Sequence, residues 1–400
     1  MKTIINSVLK LSALALFRLT VLLAFVVSSV SALQGTTLTN IPSFKPFVGL
    51  GYSPFTGSQT PNFGGNYPTV AQITYDLTNS IMFLASETRT FGMDGTLSNI
   101  AGICNTYDIK CFPCAYLNSN NPSDNTNELN AIIAIGNSNY RTTRGLIVGT
   151  EALQGGYDPQ LLISNINYVR AATHTNVPVG TADVPSYLLA SPAVVSNSDF
   201  VMINIYAYWA QIPITNAASW TIQQWQSFTN SFPGKRVLIG EADWPTGGTN
   251  SFWGNPAVIP SAANQCKFLS DFASMANSIG IEYFIFELRD EPWKVQEGIG
   301  TVEQNWGIID TNNIKKQGLV NFLSANFTLK ILSAKTNAAE ILAQTYEGNP
   351  YSLFGATNLS GSWGNPITNF TGALGTNQTV IATANSSKPT AWFYKSLQDF

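Results

Sequence analysis

The sequence predicts an α/β protein built on a (β/α)8 barrel, the TIM-barrel fold, with a C-terminal extension of different character. Eight short apolar runs recur between residues 47 and 325. Segments of helical length separate the runs, and this alternation is typical of a parallel sheet. The length of the region also fits a barrel, which typically takes about 250 residues.

The eight apolar runs predict the eight strands in chain order. They are FVGLGYSPF (47–55), SIMFLASETRTFG (80–92), KCFPCAYLN (110–118), RGLIVGTEAL (144–153), VPVGTAD (177–183), DFVMINIYAYW (199–209), RVLIGEADW (236–244) and EYFIFELRDEPW (282–293). In the second run we expect the preceding helix to end near Ala85 and the strand to be centred on Thr88–Phe91. Amphipathic stretches such as 128–140 and 261–280 predict helices between the strands.

The composition argues against several classes of function. Only 11% of the residues are charged, the net charge is −3, and there is no long basic run, so we expect no nucleic-acid partner. Aromatic residues make up 12%, which suits a neutral, hydroxyl-rich ligand such as a carbohydrate, although packed cores use aromatics too. The chain has a single histidine, His174, which rules out a multi-histidine metal site. A Ser-His-Asp triad would have to use this histidine, and the sequence has no G-x-S-x-G motif to accompany it. We therefore expect no cofactor or metal, and hydrolysis by carboxylates.

The N-terminus predicts export from the cell. A basic and apolar segment ends in the small-residue pattern V-S-A at 30–32, which is typical of signal peptide cleavage. The alternative is a signal anchor, but Arg18 leaves an apolar run too short to span a bilayer. We expect a signal peptide at 1–32, a leader at 33–46, and a secreted protein, extracellular or in the cell wall, without membrane attachment.

The region after residue 325 differs from the rest of the chain. Every N-x-[ST] sequon lies there, at Asn326, Asn358, Asn369, Asn377 and Asn385. Glycans require an exposed surface, so residues 326–400 are predicted to form a glycosylated extension. A linker, a small β module and a wall-contact segment are all compatible with its composition. The extension ends without an apolar tail, so we expect no lipid anchor.

The four cysteines allow three disulfide connectivities. Cys104 lies in the helix after strand two, and Cys111 and Cys114 lie at strand three. We expect any bridge to join Cys104 to one of these neighbours, since paired Cα atoms lie within about 7 Å. Cys266, on the helix after strand seven, is predicted to be a free buried thiol. The Cys-x-x-Cys spacing begins a strand rather than a helix, which does not favour a redox or metal role.

Strands four and seven both end near a glutamate, Glu151 and Glu241. We expect Gly240 and the turn residues after Trp244 to end the seventh strand. The active sites of (β/α)8 barrels lie at the carboxyl ends of the strands. A structural ion pair is the alternative for each glutamate, since buried Glu is rarely unpaired. Two carboxyl groups about 5–5.5 Å apart are what cleavage of a glycosidic bond with retention requires.

Seven ordered motifs resemble family 17 glycoside hydrolases, which are endo-1,3-β-glucanases and glucanosyltransferases. IVGTEAL (147–153) resembles the acid/base motif and LIGEADWPTGG (238–248) the nucleophile motif. The fungal branch of the family has similar blocks in the same order, at 179–187, 198–209, 257–272, 286–294 and 302–310. The resemblance covers about residues 47–325. It implies that Glu151 is the acid/base and Glu241 the nucleophile.

The resemblance also implies supporting residues. Tyr206 matches a family tyrosine that can hydrogen-bond Glu241, and a core tyrosine is the alternative. Glu291 and Lys294 match a Glu-x-x-Lys element that supports the acid/base, contacts sugar or is purely structural. Glu287 is a third candidate carboxylate for sugar hydroxyls. Candidates for stacking on sugar rings or bonding to hydroxyls, with core packing as the equal alternative, are Asn204, Trp209, Trp244, Trp253 and Trp306.

Two positions depart from the family pattern. The second strand usually carries Arg-x-Tyr, and here Arg89 is followed by Phe91, so one phenolic hydroxyl and its contact with a subsite are lost. Thr150 precedes the acid/base where the family often has Asn or Ser. Its hydroxyl can still bond the sugar near the 2-hydroxyl, but with a shorter reach than an Asn amide. Neither change removes a reacting carboxylate.

These observations predict a secreted, retaining glycosidase of 1,3-β-glucan, of the glucan endo-1,3-β-glucosidase type, acting as a monomer on glucan oligosaccharides or cell-wall polysaccharide. A glucanosyltransferase that remodels the cell wall shares every residue named above. A catalytically silent wall-glucan-binding protein is a further alternative, which the presence of both glutamates disfavours. A β-1,4-glucanase is disfavoured because its acid motif usually reads Asn-Glu-Pro, whereas Ala152 follows Glu151 here.

Overall fold

The computed structural model describes residues 45–61, 65–250 and 255–325, together with seven short strands. Those strands are Leu23–Val26, Leu329–Lys335, Ala338–Ala343, Pro350–Ala356, Thr368–Thr371, Gln378–Thr383 and Ala391–Gln398. The chain divides into two compact units, one of residues 45–320 and one that combines residues 1–44 with 321–400.

Parallel strands in the first unit form a closed barrel. They are β1 (Phe47–Gly51), β2 (Ala85–Arg89), β3 (Lys110–Phe112 and Cys114–Ala115), β4 (Leu146–Thr150), β5 (Val179–Asp183), β6 (Phe200–Asn204), β7 (Arg236–Ala242) and β8 (Tyr283–Ile285). Successive strands pair with each other, and β8 pairs with β1. Pro113 splits β3 into two parts, of which the first pairs with β2 and the second with β4. The ring therefore closes across the split, and the predicted (β/α)8 barrel is confirmed.

Helices connect the strands. They are α1 (Val70–Asp76, continued by Leu77–Ile81 and Met82–Leu84), α2 (Ile100–Thr106), α3 (Pro122–Ser138), α4 (Pro159–Ala172), α5 (Pro185–Ala190), α6 (Pro192–Asn197), α7 (Ile214–Ser231), α8 (Ala262–Ser278) and α9 (Gln317–Ala325). Proline begins α3 to α6, where its missing N–H costs no hydrogen bond. Helix α1 ends at Leu84, as predicted. Strand β2 follows immediately, so it lies slightly earlier than the expected centre at Thr88–Phe91.

Apolar side chains fill the barrel below its carboxyl end. The buried cluster contains Phe112, Cys114, Ile147, Ala182, Phe200, Met202, Leu238 and Phe284, which come from strands β3 to β8. The ring of Phe112 packs edge-on against Phe200 at 5.6 Å and against Phe284 at 5.5 Å between centroids. A barrel interior filled in this way is a core rather than a channel, and the active sites of such barrels lie at the mouth.

The second unit contains two antiparallel sheets. One has the strand order Leu329–Lys335, Ala338–Ala343, Gln378–Thr383, and the other Leu23–Val26, Ala391–Gln398, Pro350–Ala356, Thr368–Thr371. Of the predicted signal peptide only Leu23–Val26 is described, and the other residues of 1–44 lie outside the described residues. Among the sequons, Asn369 lies in a strand and the other four lie outside the described residues. Within the described chain, no helix is long and apolar enough to cross a membrane.

All four cysteines are free thiols in the structure. Cys104 on α2 interacts with the thiol of Cys111 on β3, and this contact and then burial raise the pKa of Cys104 well above its usual range. These two are the neighbours that the sequence suggested, and a bridge between them stays a prediction. Cys266 is only half-buried, so its predicted burial is wrong. The reason is its position at the edge of the apolar face of α8, beside the buried Gln265.

Candidate active site

A bulge in strand β7 turns Glu241 towards the barrel mouth. Strands β6 and β7 pair in register as far as Ile203 and Ile239, and then Asn204 pairs with Glu241. Gly240 is the extra residue, and the strand continues through it to Ala242 rather than ending there as predicted. A Cβ atom on Gly240 would lie 2.7 Å from both Arg89 Nη1 and Asn204 Oδ1. Only glycine therefore lets those two groups approach Glu241.

Strand β4 delivers Glu151 through a second irregularity. The pairing of β4 with β5 shifts between Ile147 and Thr150. Gly149 has a φ of 79°, and Glu151 itself has a φ of 49°, which is uncommon for a residue with a side chain. The N–H of Glu151 donates to the carbonyl of Ala182 at 2.9 Å. The left-handed backbone and this bond to β5 set the direction in which the half-buried carboxyl points.

The side-chain amide of Asn204 connects the two glutamates. Its Nδ2 atom donates to Oε1 of Glu151 at 2.9 Å and to Oε1 of Glu241 at 3.0 Å. The two oxygens are therefore less than about 6 Å apart, close to the separation of the carboxyl groups in retaining glycosidases. The barrel thus brings together the two carboxylates that the sequence identified on different strands.

Arg89 lies directly behind Glu241. Its Nη1 atom is 3.2 Å from Oε1 of Glu241 and donates to Oδ1 of Asn204 at 3.3 Å. Its Nη2 atom donates to the hydroxyl of Thr150 at 3.0 Å, so this hydroxyl is already engaged within the protein. The guanidinium also lies 4.8 Å from the ring centre of Phe91. A fully buried arginine requires such partners, because an unpaired buried charge is costly.

Tyr206 contacts Glu241 as predicted. Its hydroxyl donates to Oε2 of Glu241, and its ring packs edge-on against Phe286 at 5.6 Å and Trp306 at 5.1 Å. Burial, followed by the charge of Glu241, raises the pKa of Tyr206 well above its usual range. The phenol therefore stays protonated and remains a hydrogen-bond donor to the carboxylate.

The protonation of Glu151 is shifted by its surroundings. Burial, and then the charge of Glu241, raise the pKa of Glu151 to about 7, while the hydrogen bond from Asn204 acts in the opposite direction. A carboxyl group with this pKa is protonated in weakly acidic solution and ionised in alkaline solution. It is therefore able to give and take a proton near neutral pH.

A lysine and two glutamates form a buried cluster beside these residues. Lys294 Nζ lies 3.3 Å from Oε1 of Glu287 and 2.9 Å from Oε2 of Glu291. Glu291 also accepts hydrogen bonds from the hydroxyl of Ser53 and from Nε1 of Trp293, the latter at 2.9 Å. Burial and the charge of Glu291 raise the pKa of Glu287 well above its usual range. The predicted Glu291–Lys294 pair is present, and Glu287 shares its lysine.

The structure decides between the alternatives for two of the tryptophans. Trp244 and Trp306 are almost completely buried, so neither can stack on a sugar, and core packing is the correct alternative. Trp244 donates from Nε1 to the carbonyl of Ile259 at 2.9 Å and supports the ring of Tyr208 at 5.5 Å. Trp209 is half-buried, and Trp253 lies outside the described residues.

Two acidic residues at the site were not singled out from the sequence. Glu303 is buried on the 3-10 segment Thr301–Asn305, and burial raises its pKa to about 7 while the charge of Lys294 opposes the shift. Glu303 lies in a loop, so the pattern of carboxylates at strand ends does not indicate it, although the motif at 302–310 contains it. Asp183 is the buried last residue of β5, and the strand-end rule that found Glu241 finds it too.

A (β/α)8 barrel whose fourth and seventh strands deliver two adjacent carboxyl groups is an architecture of glycoside hydrolases. The chain belongs to the BtgE/BtgC glycoside hydrolase domain family, whose model matches residues 49–307. The resemblance to family 17 glycoside hydrolases is thereby confirmed, since a solved glucanosyltransferase of that family, from Rhizomucor miehei, is 26% identical with a TM-score of 0.59. That similarity covers 68% of this chain and 96% of the other.

Other relatives agree with this assignment. A btgC protein of Aspergillus niger is 29% identical over 300 residues, which are 69% of this chain and 43% of the relative. The glucan endo-1,3-beta-glucosidase btgC of Emericella nidulans is 26% identical over 302 residues, 69% of this chain and 46% of the relative. The chain thus spans less than half of the length of these curated relatives. An active-site mutant of the Rhizomucor miehei β-1,3-glucanosyltransferase, in complex with laminaritriose, is 27% identical with a TM-score of 0.59 and the same coverage, 68% and 96%.

Proposed function

We propose that this protein is a retaining glycosidase of 1,3-β-glucan in which Glu151 is the acid/base and Glu241 the nucleophile. The observation that carries the proposal is the Asn204 amide, which donates to both carboxyl groups and keeps them close together. The relatives support the choice of substrate, because one is named a glucan endo-1,3-beta-glucosidase and another is in complex with laminaritriose.

In the first step, the protonated Glu151 donates its proton to the glycosidic oxygen while a carboxylate oxygen of Glu241 attacks the anomeric carbon. The bond between that carbon and the leaving oxygen breaks, and a covalent glycosyl ester forms on Glu241. Arg89 and Tyr206 hold the attacking group in place with a charge and a hydrogen bond. The raised pKa of Glu151 supports this assignment, because the acid has to be protonated when the substrate binds.

In the second step, the ionised Glu151 takes a proton from an incoming hydroxyl group, whose oxygen attacks the anomeric carbon and releases Glu241. Water as the acceptor gives hydrolysis, and a sugar hydroxyl gives transfer. The second candidate function is therefore transfer of 1,3-β-glucan. The similarity to the Rhizomucor miehei glucanosyltransferase favours it, because that similarity covers 96% of the glucanosyltransferase chain. Mass analysis of the products from linear 1,3-β-glucan oligomers separates the outcomes. Exclusively shorter products indicate hydrolysis, products longer than the substrate indicate transfer, and no products indicate a silent binding protein.

The two roles are tested with Glu151→Gln and Glu241→Gln on a 1,3-β-glucan oligomer that carries an activated aryl leaving group. Such a leaving group needs no proton, so we expect Glu151→Gln to keep the first step and to recover turnover with azide, giving a β-configured glycosyl azide. Glu241→Gln is expected to lose turnover but to keep glucan binding. A β-configured azide from Glu241→Gln instead would reverse the roles, and wild-type rates for both variants on unmodified oligomers would refute the mechanism.

We also propose that the protein is secreted and acts as a monomer outside the cell or in its wall. The proposal rests on the N-terminal residues 1–32 and on the sequons after residue 325. The matching experiment is mass analysis of the protein from culture medium, before and after removal of N-glycans, combined with light scattering. We expect a mature N-terminus at Leu33, and a retained N-terminal segment or a cell-associated product would contradict it.

A further inference from the structure

Asp183 is a buried carboxylate that the mechanism above does not use. It ends strand β5, next to the strand that delivers Glu151, and it has no exposed surface. Its Oδ2 atom accepts the backbone N–H of Leu153 at 2.8 Å, and its Oδ1 atom accepts the N–H of Val184 at 2.9 Å. Burial raises the pKa of Asp183 to about 6, while the N–H groups of Val184, Leu153 and Gln154 act in the opposite direction, so the group is ionised at neutral and alkaline pH. One carboxylate therefore ties the end of β5 to the turn that follows β4.

The last residues of β5 hold that turn at three successive points. The hydroxyl of Thr181 donates to the carbonyl of Gly149 at 3.0 Å, the carbonyl of Ala182 accepts the N–H of Glu151, and Asp183 accepts the N–H of Leu153. Glu151 lies between these contacts with its positive φ. A residue with a side chain keeps this costly conformation only where its surroundings fix it on both sides.

We propose that Asp183 is a positioning residue for the acid/base: its carboxylate fixes the turn after β4, and thereby the direction of the proton that Glu151 donates to the leaving oxygen. The inference rests on the proposed function, since it requires Glu151 to be the acid/base. A misdirected carboxyl group loses the proton transfer but not the attack by Glu241, which is held by other residues.

The charge of Asp183 adds an effect on pH dependence. The groups that act on Glu151 come from several strands: Glu241 from β7, Asn204 from β6, Arg89 from β2 and Asp183 itself. Asp183 raises the pKa of Glu151, after burial and Glu241, whereas Asn204 and Arg89 lower it. Removal of the negative charge by Asp183→Asn is therefore expected to move the loss of activity at alkaline pH towards lower pH.

The test compares two rates in the same enzyme sample. One is turnover of unmodified 1,3-β-glucan oligomers, which needs the acid, and the other is the pre-steady-state burst of aryl alcohol from the activated substrate, which does not. For Asp183→Ala and Asp183→Asn we expect turnover to fall at least about tenfold, as for a misplaced general acid, and the burst to change less than about threefold. The binding constant for the oligomers should stay close to the wild-type value.

Asp158→Asn is the matched control. Asp158 also accepts a backbone N–H, from Leu161 at 2.8 Å, but it caps helix α4 rather than the turn. Its replacement should lower the melting temperature slightly and leave the ratio of the two rates unchanged. Because the ratio is taken within one sample, partial unfolding of Asp183→Ala lowers both rates and does not imitate the expected result.

Equal losses in both rates, or no loss in either, would overturn the inference and make Asp183 a structural residue only. The proposed function is judged separately, by Glu151→Gln in the same assay. Wild-type turnover of the oligomers by Glu151→Gln overturns both proposals. The expected loss in Glu151→Gln, together with equal losses in Asp183→Asn, overturns only the role of Asp183.

Discussion

The two ends of the barrel both carry arginine–glutamate pairs, but the pairs differ in burial. At the amino end, Arg144 lies 3.4 Å from Glu282 and Arg236 lies 2.8 Å from the same carboxylate. The side chains of the Arg144–Glu282 pair are 45% and 31% exposed, whereas those of Arg89 and Glu241 at the carboxyl end are 0% and 6% exposed. Water and salt screen the charges of the first pair. In the second pair, the two charges have lost their water and stabilise each other instead.

The difference appears in the protonation of the glutamates. Burial acts to raise the pKa of Glu282, but Arg236 and Arg144 outweigh it and hold the pKa below its usual value. At the other end burial prevails for Glu151, whose pKa rises to about 7. Arginines thus lower the pKa of a glutamate at the amino end, whereas at the carboxyl end burial outweighs Arg89 and, on the proposed mechanism, leaves Glu151 as a proton donor.

Replacement of Arg89 should give the largest effect. Arg89→Ala removes the partner of a buried carboxylate and the group that orients Asn204 and Thr150. We expect turnover of 1,3-β-glucan oligomers to fall about 10²–10³-fold, the range for loss of a preorganised charge in an active site, and unfolding free energy to fall by about 3–5 kcal/mol. Kinetics and denaturant unfolding measure the two quantities. If Arg89→Ala lowered the turnover and the unfolding free energy by less than Arg144→Gln does, the comparison of the two ends would be reversed.

Gly240→Ala tests whether the approach of Arg89 depends on the absence of one methyl group. The new Cβ would overlap Arg89 Nη1 and Asn204 Oδ1, so we expect a loss of about 1–3 kcal/mol of stability and a drop in turnover. Gly102→Ala on helix α2 is the control, since a Cβ there meets nothing within 4 Å. That change should be neutral or stabilising. Equal thermal melts for the two variants would argue against the crowding at Gly240.

The pH dependence should follow the raised pKa of Glu151. Turnover of unmodified oligomers should fall as pH rises through about 7, because the donor loses its proton. The folded state binds this proton more tightly than the unfolded chain, so the stability that Glu151 contributes is lost as pH rises from about 4.5 through 7. The melting temperature of Glu151→Gln minus that of the wild type should therefore be higher at pH 8 than at pH 4. A constant difference between the two proteins would contradict the shift.

The smallest effect is expected at the amino end. Arg144→Gln and Glu282→Gln should each change the unfolding free energy by about 1 kcal/mol or less, since half-exposed pairs contribute little. Their coupling in a double-mutant cycle should decrease further in 1 M salt, and turnover should stay unchanged. A coupling energy that resists salt would show that this network behaves like the buried pairs at the mouth.

The sequence was sufficient for the fold and for the positions of Glu151 and Glu241 at the ends of their strands, because both depend on strong local signals. Alternating apolar runs and helical segments predict the barrel, and strand ends identify Glu151 and Glu241. The bulges at Gly149 and Gly240 depend on pairing between distant strands, so no local pattern predicts them. They decide where the carboxyl groups point.

The burial of individual side chains was the weaker part of the prediction. Trp244 and Trp306 lie in motifs that could equally face a ligand or the core, and only the packing of Tyr206, Tyr208 and Phe286 around them decides for the core. Glu303 escaped notice because it reaches the site from a loop, whose path is set by tertiary contacts. Local patterns identify strand ends but not the loops that fold back over them.

The amide of Asn204 makes the site sensitive to chemical ageing. Both hydrogens of Nδ2 are used, one for each glutamate, and Oδ1 faces Arg89. Deamidation would turn this donor into a third negative charge between two carboxyl groups, with no change in the gene or in the shape of the side chain. The branched side chain of Ile205 hinders the attack of its own N–H on the amide carbon, which slows that reaction. On the proposed mechanism, loss of this one side-chain amide would be enough to inactivate a molecule whose fold is otherwise intact.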